Sequence, residues 1–479
     1  MPLSLRRLRA LTLGLVVAPL VTPVVIAATA DSAVAAPCEV FVGGVRVTRD
    51  PCPALPSPVC TTFADGGLVC QRWLLFSPNG ATQDIRECDS DEYGYAVSTT
   101  VAANPAAAGP FCFGPKPSGI EPQAVTPIRT GVPADASAVL ANLTMVDGSG
   151  WGYVTADRCS GMQAAPQAKS NGNHDQFVAL ANLAVAAVDP DGHFCLYNSR
   201  RVNLAVDTQG YFAPPAAGGQ LFVPSTQRRL LDTRTTVTGA PSGGSVTRVE
   251  TGVASGATAV LVNITMVDGG HPGYVTAASC SAMTPGPQSR SNGNFPVSTA
   301  VANLSVVPVD PDGAFCLYNN VAVNLVVDLQ GSFAAAAATG AATGLGFDAV
   351  TPRRLLDTRA ASTIRVFSGT ITRVETGAPT GTAAVLVNLA MTDALAPGYI
   401  TADKCSVLTA GAQTKSNGNH PRGTPISNLS VVPVDADGAF CIYNHVATYL
   451  VVDLQGSFSR TAGQRFFLLA SSRVFDSRR

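Results

Sequence analysis

Apolar and polar residues alternate at period two through long stretches of this chain. In segment 259–266, Val260, Val262, Ile264 and Met266 fall on one face, and Leu261, Asn263 and Thr265 on the other. That pattern predicts a strand with one side on a core. Segments 139–145 and 385–391 keep the same apolar face. Val306 to Val309, Asp310-Pro311-Asp312-Gly313 and Ala314 to Tyr318 read as strand, turn and strand, and predict a hairpin. Val323 to Gln330 adds a strand with Val323, Leu325, Val327 and Leu329 on one face. No stretch of 12 or more residues after the leader holds a helical period, and Gly and Pro recur too often for many helices. The expected class is all-β, with a two-layer β-sandwich in each repeat.

The repeats show first in the cysteines. Cys159, Cys280 and Cys405 recur at intervals of 121 and 125 residues, and Cys195, Cys316 and Cys441 follow each by 36. Ser-Asn-Gly-Asn at Ser170, Ser291 and Ser416 keeps that register, as does Gly-Tyr-Val/Ile-Thr at Gly152, Gly273 and Gly398. Three units of about 120 residues are therefore expected, at 119–234, 235–359 and 360–479. Two Cys per unit predict the bridges Cys159–Cys195, Cys280–Cys316 and Cys405–Cys441. Zinc needs four closely spaced ligands, and each unit offers two Cys and no fixed His. Residues 36–118 hold the other six Cys (Cys38, Cys52, Cys60, Cys70, Cys88 and Cys112) and read as a small stapled module whose pairing stays open.

Residues 1–35 have the order of a secretory signal: Arg6, Arg7 and Arg9, an apolar run, then Ala33-Val34-Ala35 as a cleavage pattern. A later membrane span is not expected. The 479 residues carry a formal net charge of −1, and removing the leader leaves −3. That balance gives no electrostatic reason to bind nucleic acid or anionic lipid. The charged fraction of 13% is half the usual value of about 25%, which argues against disorder.

Arg-Leu-Leu-Asp-Thr-Arg stands at 229–234 and 354–359, with a worn copy at 473–478. Each copy follows a core and none precedes the first. The expectation is that the string belongs to the core before it, or bridges two cores as a shared strand. Asp207, Asp328 and Asp453 on the last strand of each unit are expected to hold Arg234, Arg359 and Arg478 of the string as structural ion pairs.

Together with Gly-Tyr-Val-Thr, Ser-Asn-Gly-Asn, Cys-Leu-Tyr-Asn and Val-Val-Asp-Leu-Gln-Gly-Ser-Phe, this string resembles a repeat domain of secreted actinobacterial proteins over about 120–479. The resemblance implies secretion and a wall-proximal setting, in tandem arrays or as accessory modules of wall-active enzymes. It assigns no catalytic residue.

Candidate chemistry is sparse. Ser-Asn-Gly-Asn reads as a hairpin tip, with a polar ligand loop as the alternative, in which Asn171, Asn173, Asn292, Asn294, Asn417 and Asn419 would contact a sugar. His174 and His420 follow that string, but Phe295 replaces them in the middle copy, which excludes a catalytic His common to all repeats. The Asp-x-Asp-Gly turns at Asp189, Asp310 and Asp435 lack the further carboxylates of a calcium loop. Nucleophile-elbow, zinc-protease and phosphate-loop motifs are absent, so no catalytic residue, metal or cofactor is assigned. Trp151 is replaced by Pro272 and Pro397, which removes aromatic stacking as a repeat-wide device for sugar. The favoured reading is a secreted, non-catalytic, surface- or wall-associated binding protein with wall glycan or another surface protein as partner. The alternative is a hydrolase of wall or extracellular polysaccharide, with its site between repeats or in the N-terminal module.

Overall fold

The computed structural model describes residues 119–176, 178–335 and 344–478, together with six short strands between residues 38 and 83. The signal sequence expected over residues 1–35 lies outside the described residues. The chain divides into two units, Met1–Pro117 and Ser118–Arg479. In the first, β1 (Cys38–Val42) pairs with β2 (Val45–Arg49), β3 (Val59–Thr62) with β4 (Leu68–Gln71), and β5 (Leu75–Phe76) with β6 (Thr82–Gln83). Cys60 stands opposite Cys70 in the β3–β4 register.

The second unit is built almost wholly of antiparallel strands. In repeat 1 these are β7 (Val125–Arg129), β8 (Ala138–Val146), β9 (Gly152–Asp157), β10 (Gly172–His174), β11 (Leu180–Ala187), β12 (His193–Asn198) and β13 (Asn203–Ala213). The string strand β14 (Gln220–Asp232) follows. Repeat 2 runs through β15 (Ser245–Glu250), β16 (Ala257–Val267), β17 (Gly273–Ala278), β18 (Gly293–Phe295), β19 (Ala300–Pro308), β20 (Ala314–Asn319) and β21 (Asn324–Ala335), then the string strand β22 (Gly346–Asp357). Repeat 3 runs through β23 (Ile371–Glu375), β24 (Thr382–Thr392), β25 (Gly398–Asp403), β26 (Gly418–His420), β27 (Ile426–Pro433), β28 (Ala439–Asn444) and β29 (Tyr449–Ser459), then β30 (Arg465–Asp476).

Each repeat is a sandwich of two four-stranded sheets. The outer sheets have the orders β10-β9-β12-β7, β18-β17-β20-β15 and β26-β25-β28-β23. The inner layers read β11-β8-β13-β30, β19-β16-β21-β14 and β27-β24-β29-β22, the first two joined at β30–β14 into one eight-stranded sheet. The string therefore completes the sandwich that follows it, not the one before. The last string, β30, is not left over: it returns to β13 and completes the first sandwich. The return of β30 to the first sandwich closes the three into a ring.

This closure buries the inner sheets on both faces. Val260, Val262, Ile264 and Met266 pack inside their sandwich. The opposite face, with Leu261, Asn263 and Thr265, is equally buried. Leu261 joins Leu140, Leu386 and their neighbours from all three repeats in a second apolar core. At its head, six phenylalanines form a closed circuit: Phe212, Phe347, Phe458, Phe222, Phe333 and Phe466, with successive centroids 3.8, 5.2, 4.4, 5.6, 4.0 and 5.5 Å apart. Three of these rings come from string strands and three from the strands that receive them. A Cβ at Gly331 would lie 2.3 Å from the Phe222 ring, and Gly210 and Gly456 stand in the same relation to Phe466 and Phe347. The glycine of Gln-Gly-Ser/Tyr-Phe thus lets the incoming ring lie flat on the sheet. Backbone bridges Phe222↔Leu345, Phe347↔Gln464 and Gln220↔Phe466 link the string strands in the same cyclic order.

The bridges Cys159–Cys195, Cys280–Cys316 and Cys405–Cys441 all lie on the outer sheets. The expected hairpin at Asp310 is corrected. Its turn is tight, with Gly313 N–H donating to Asp310 O at 2.8 Å. Yet it leads from β19 in the inner sheet to β20 in the outer one, because the free edge of β19 is used by a neighbouring repeat. The carboxylates of Asp189, Asp310 and Asp435 accept from the backbone N–H and hydroxyl of Ser160, Ser281 and Ser406, which anchors the turn after each first cysteine.

Candidate functional site

Among the described residues, the repeat boundaries are rich in buried polar groups. β11, β19 and β27 are edge strands, and a buried edge leaves backbone N–H groups that need acceptors. Side-chain amides of other repeats supply them. Leu183 N–H donates to Asn303 Oδ1 at 2.8 Å, Leu304 N–H to Asn428 at 3.0 Å and Leu429 N–H to Asn182 at 3.2 Å. Two residues on, Val185, Val306 and Val431 donate to the Oε1 atoms of Gln455, Gln209 and Gln330 at 3.3, 3.0 and 3.0 Å. Asn142, Asn263 and Asn388 donate to the carbonyls of Ser291, Ser416 and Ser170 at 2.8, 2.9 and 2.7 Å.

The candidate loop Ser-Asn-Gly-Asn is therefore neither a hairpin tip nor an exposed ligand loop. It enters the short strands β10, β18 and β26. Its first asparagines, Asn171, Asn292 and Asn417, are buried, and their Oδ1 atoms accept from Ala156, Ala277 and Ala402 N–H at 2.8 Å. Asn173, Asn294 and Asn419 are half-buried. Asn294 and Asn419 accept from the Ser291 and Ser416 hydroxyls of their own strings. Glycine is required here for close approach: a Cβ on Gly293 would lie 2.7 Å from Met266. None of the three glycines is among those with positive φ.

The ion pairs are also corrected. Buried Asp328 is held by Arg229, not Arg359, with Nε to Oδ1 at 2.6 Å. Asp453 pairs with Arg354 at 2.5 Å and Asp207 with Arg473 at 2.6 Å. It is thus the first arginine of the string that reaches the carboxylate, because the exchanged strand brings position 229 beside 328 in register. The last arginines, Arg234, Arg359 and Arg478, fold back onto Asp232, Asp357 and Asp476. They hold those carboxyls below the usual range. Burial pushes the Asp328 and Asp453 carboxyls up against the pull of Arg229 and Arg354. Each first arginine also reaches a third repeat: Arg229 donates to Thr414 O at 2.8 Å, Arg354 to Ala168 O at 2.5 Å and Arg473 to Ser289 O at 3.4 Å.

The threefold pattern breaks at one boundary. In repeats 1 and 3, Asp157 and Asp403 end the strands β9 and β25 and pair with Lys169 and Lys415. These four side chains are largely buried. In repeat 2 the acid is replaced by Ala278 and the base by Arg290. Among the described residues Arg290 has no acidic partner, and its Nε is buried without a hydrogen bond. Arg158 and Lys404 are likewise replaced by Ser279. Here a cavity of about 340 Å³ opens, between the β30 segment Leu468–Ser471 with Gln209 on one side and Ala278, Ser279, Arg290, Asn292 and Val306 on the other. Arg290 is the one charged residue in its lining. Ala278, Ser279 and Arg290 are absent from the sequence-based candidates, although the contrast of Thr-Ala-Asp at 155–157 and 401–403 with Thr-Ala-Ala at 276–278 is present in the sequence.

No protein family profile matches the sequence, and no curated protein matches it. Solved structures similar to it include the following three. A Sulfolobus turreted icosahedral virus structure matches at 9% identity and TM-score 0.16, over 76% of this chain and 89% of the viral one. The tandem CBM22 domains of Paenibacillus barcinonensis Xyn10C match at 13% identity and TM-score 0.14, over 52% and 99%. A triple jelly roll structure from an archaeal virus matches at 8% identity and TM-score 0.14, over 84% and 90%.

Proposed function

We propose that this chain is an extracellular, non-catalytic binding protein of the bacterial surface or wall, in which the ring of sandwiches is the scaffold and the open repeat boundary is the binding site. One observation carries the reading. Three boundaries are built alike, two carry an aspartate–lysine pair, and the third keeps a cation, lacks the acid and lines a cavity. A cavity with apolar walls and a few polar groups is the usual form of a small-ligand site. The three disulfides suit an oxidising compartment.

The test is cosedimentation of the mature protein with purified cell wall, chitin and cellulose, with soluble sugar measured in the supernatant. Retention without sugar release is the expected result. Sugar release that disappears when one carboxylate is substituted overturns the non-catalytic reading, and absence from every pellet overturns the wall partner.

A further inference from the structure

We propose that the cavity at Arg290 takes a carboxylate-bearing ligand about the size of one sugar or one to two amino acids. The proposal rests on the binding reading above and names the ligand class. The two paired boundaries act as internal templates, because each shows what the basic side chain at this position bonds: a carboxylate rising from the last residue of β9 or β25. Ala278 occupies the same position on β17, opposite Cys316 as Asp157 is opposite Cys195. Its methyl group leaves the place of that carboxylate open.

Two features fit an anion from outside. Lysine is a point charge, whereas arginine presents a planar fork that grips a carboxylate with two bonds, and the fork stands at the boundary that lacks its own acid. No second cation lines the cavity, so one negative charge is matched and a dianion is not. The rest of a ligand would meet the Ser279 and Ser471 hydroxyls, the Asn292 carboxamide and the apolar wall of Val306 and Leu468. The volume sits at the lower end of the range for ligand pockets, about 300–1,000 Å³.

The same chemistry occurs in acidic sugars and at peptide C-termini, and calorimetric titration separates them. D-glucuronate and N-acetyl-Ala-Ala are the probes, D-glucose and N-acetyl-Ala-Ala amide the uncharged controls, and inorganic phosphate the rival anion. The expected result is saturable binding of glucuronate or of the peptide, whichever binds identifying the source, and none of the uncharged controls. Ala278→Asp, which supplies the missing acid, and Arg290→Gln are each expected to weaken it about tenfold or more. The melting temperature of Ala278→Asp should not fall below that of the parent, since this variant copies the other two boundaries. Failure of both carboxylates to titrate, tighter binding of phosphate, or undiminished binding by Ala278→Asp overturns the proposal. Carboxylate titration without wall retention upholds the ligand class and sinks the wall reading, and retention without titration does the opposite.

Discussion

The two sheets of each repeat are held by different means. The outer sheet carries the disulfide and is tied within its own repeat, as by Cys280–Cys316 joining the turn after β17 to β20. The inner sheet has no disulfide. Its edge is completed by a string strand, which in the first repeat comes from the far end of the chain, and its second face is buried against the other repeats. Its edge N–H groups and its buried aspartate find partners across repeat boundaries. Outer sheets are therefore local and inner sheets collective. A lesion in the first kind should stay in one repeat, and a lesion in the second should spread around the ring.

The largest break comes from removing residues 465–479. That deletion leaves β13 without β30, takes Phe466 out of the aromatic circuit and strips Asp207 of Arg473. Loss of cooperative folding of the whole 119–464 region is expected, because an open, apolar inner edge is also a site for association between chains. Circular dichroism melts and light scattering check this. A sharp melt near that of the parent would show that the first sandwich stands without closure.

Next comes the exchanged ion pair. Asp328→Ala takes the buried carboxylate from Arg229, which keeps Asp232, and should cost about 2 kcal/mol in urea unfolding, as for the loss of charged hydrogen bonds. Arg234→Ala removes a half-exposed arginine bonded two residues away and should cost under about 1 kcal/mol. Equal losses in the two variants would remove the distinction between the first and last arginines of the string. Cys280→Ser with Cys316→Ser should cost about 3 kcal/mol, with faster amide exchange confined to β15, β17, β18 and β20. Exchange that rises equally in the inner sheets would contradict their separation from the outer ones.

The sequence reveals what is local. Period-two alternation gives the strands, Cys spacing gives three bridges, and recurrence of whole strings gives three units. It conceals what depends on closure. Leu261, Asn263 and Thr265 look like an outward face because alternation marks one buried side, and nothing in a strand says that its polar side meets another repeat. Asn142, Asn263 and Asn388, on the polar side of the alternation, are interior donors and not surface residues. The string looks unable to open each unit because linear order leaves the last copy unused, whereas a ring returns it to the first. The open boundary is readable only by comparing the copies, since Arg290 draws attention once Asp157 and Asp403 are set beside Ala278.

The last expected effect, seen only in acid, concerns a second outer-sheet position where the middle repeat lacks a titratable group. His174 on β10 and His420 on β26 are buried, and burial lowers each from 6.5 to about 4. Phe295 fills the equivalent place on β18. The unfolded chain therefore binds protons that the folded one does not as pH falls from 6.5 towards about 4, so stability is lost across that window and is unaffected above it. Each histidine should cost about 1.4 kcal/mol at about pH 5.5, one unit below the unfolded value, where the unfolded form is favoured about tenfold by protonation. His174→Phe with His420→Phe, which copies the middle repeat, should flatten the dependence of the urea midpoint on pH between 6.5 and 4. At neutral pH the histidines are uncharged in either state, so any change there would report packing of the new rings. An unflattened profile would move the acid sensitivity away from the outer sheets and onto the carboxylates of the ring.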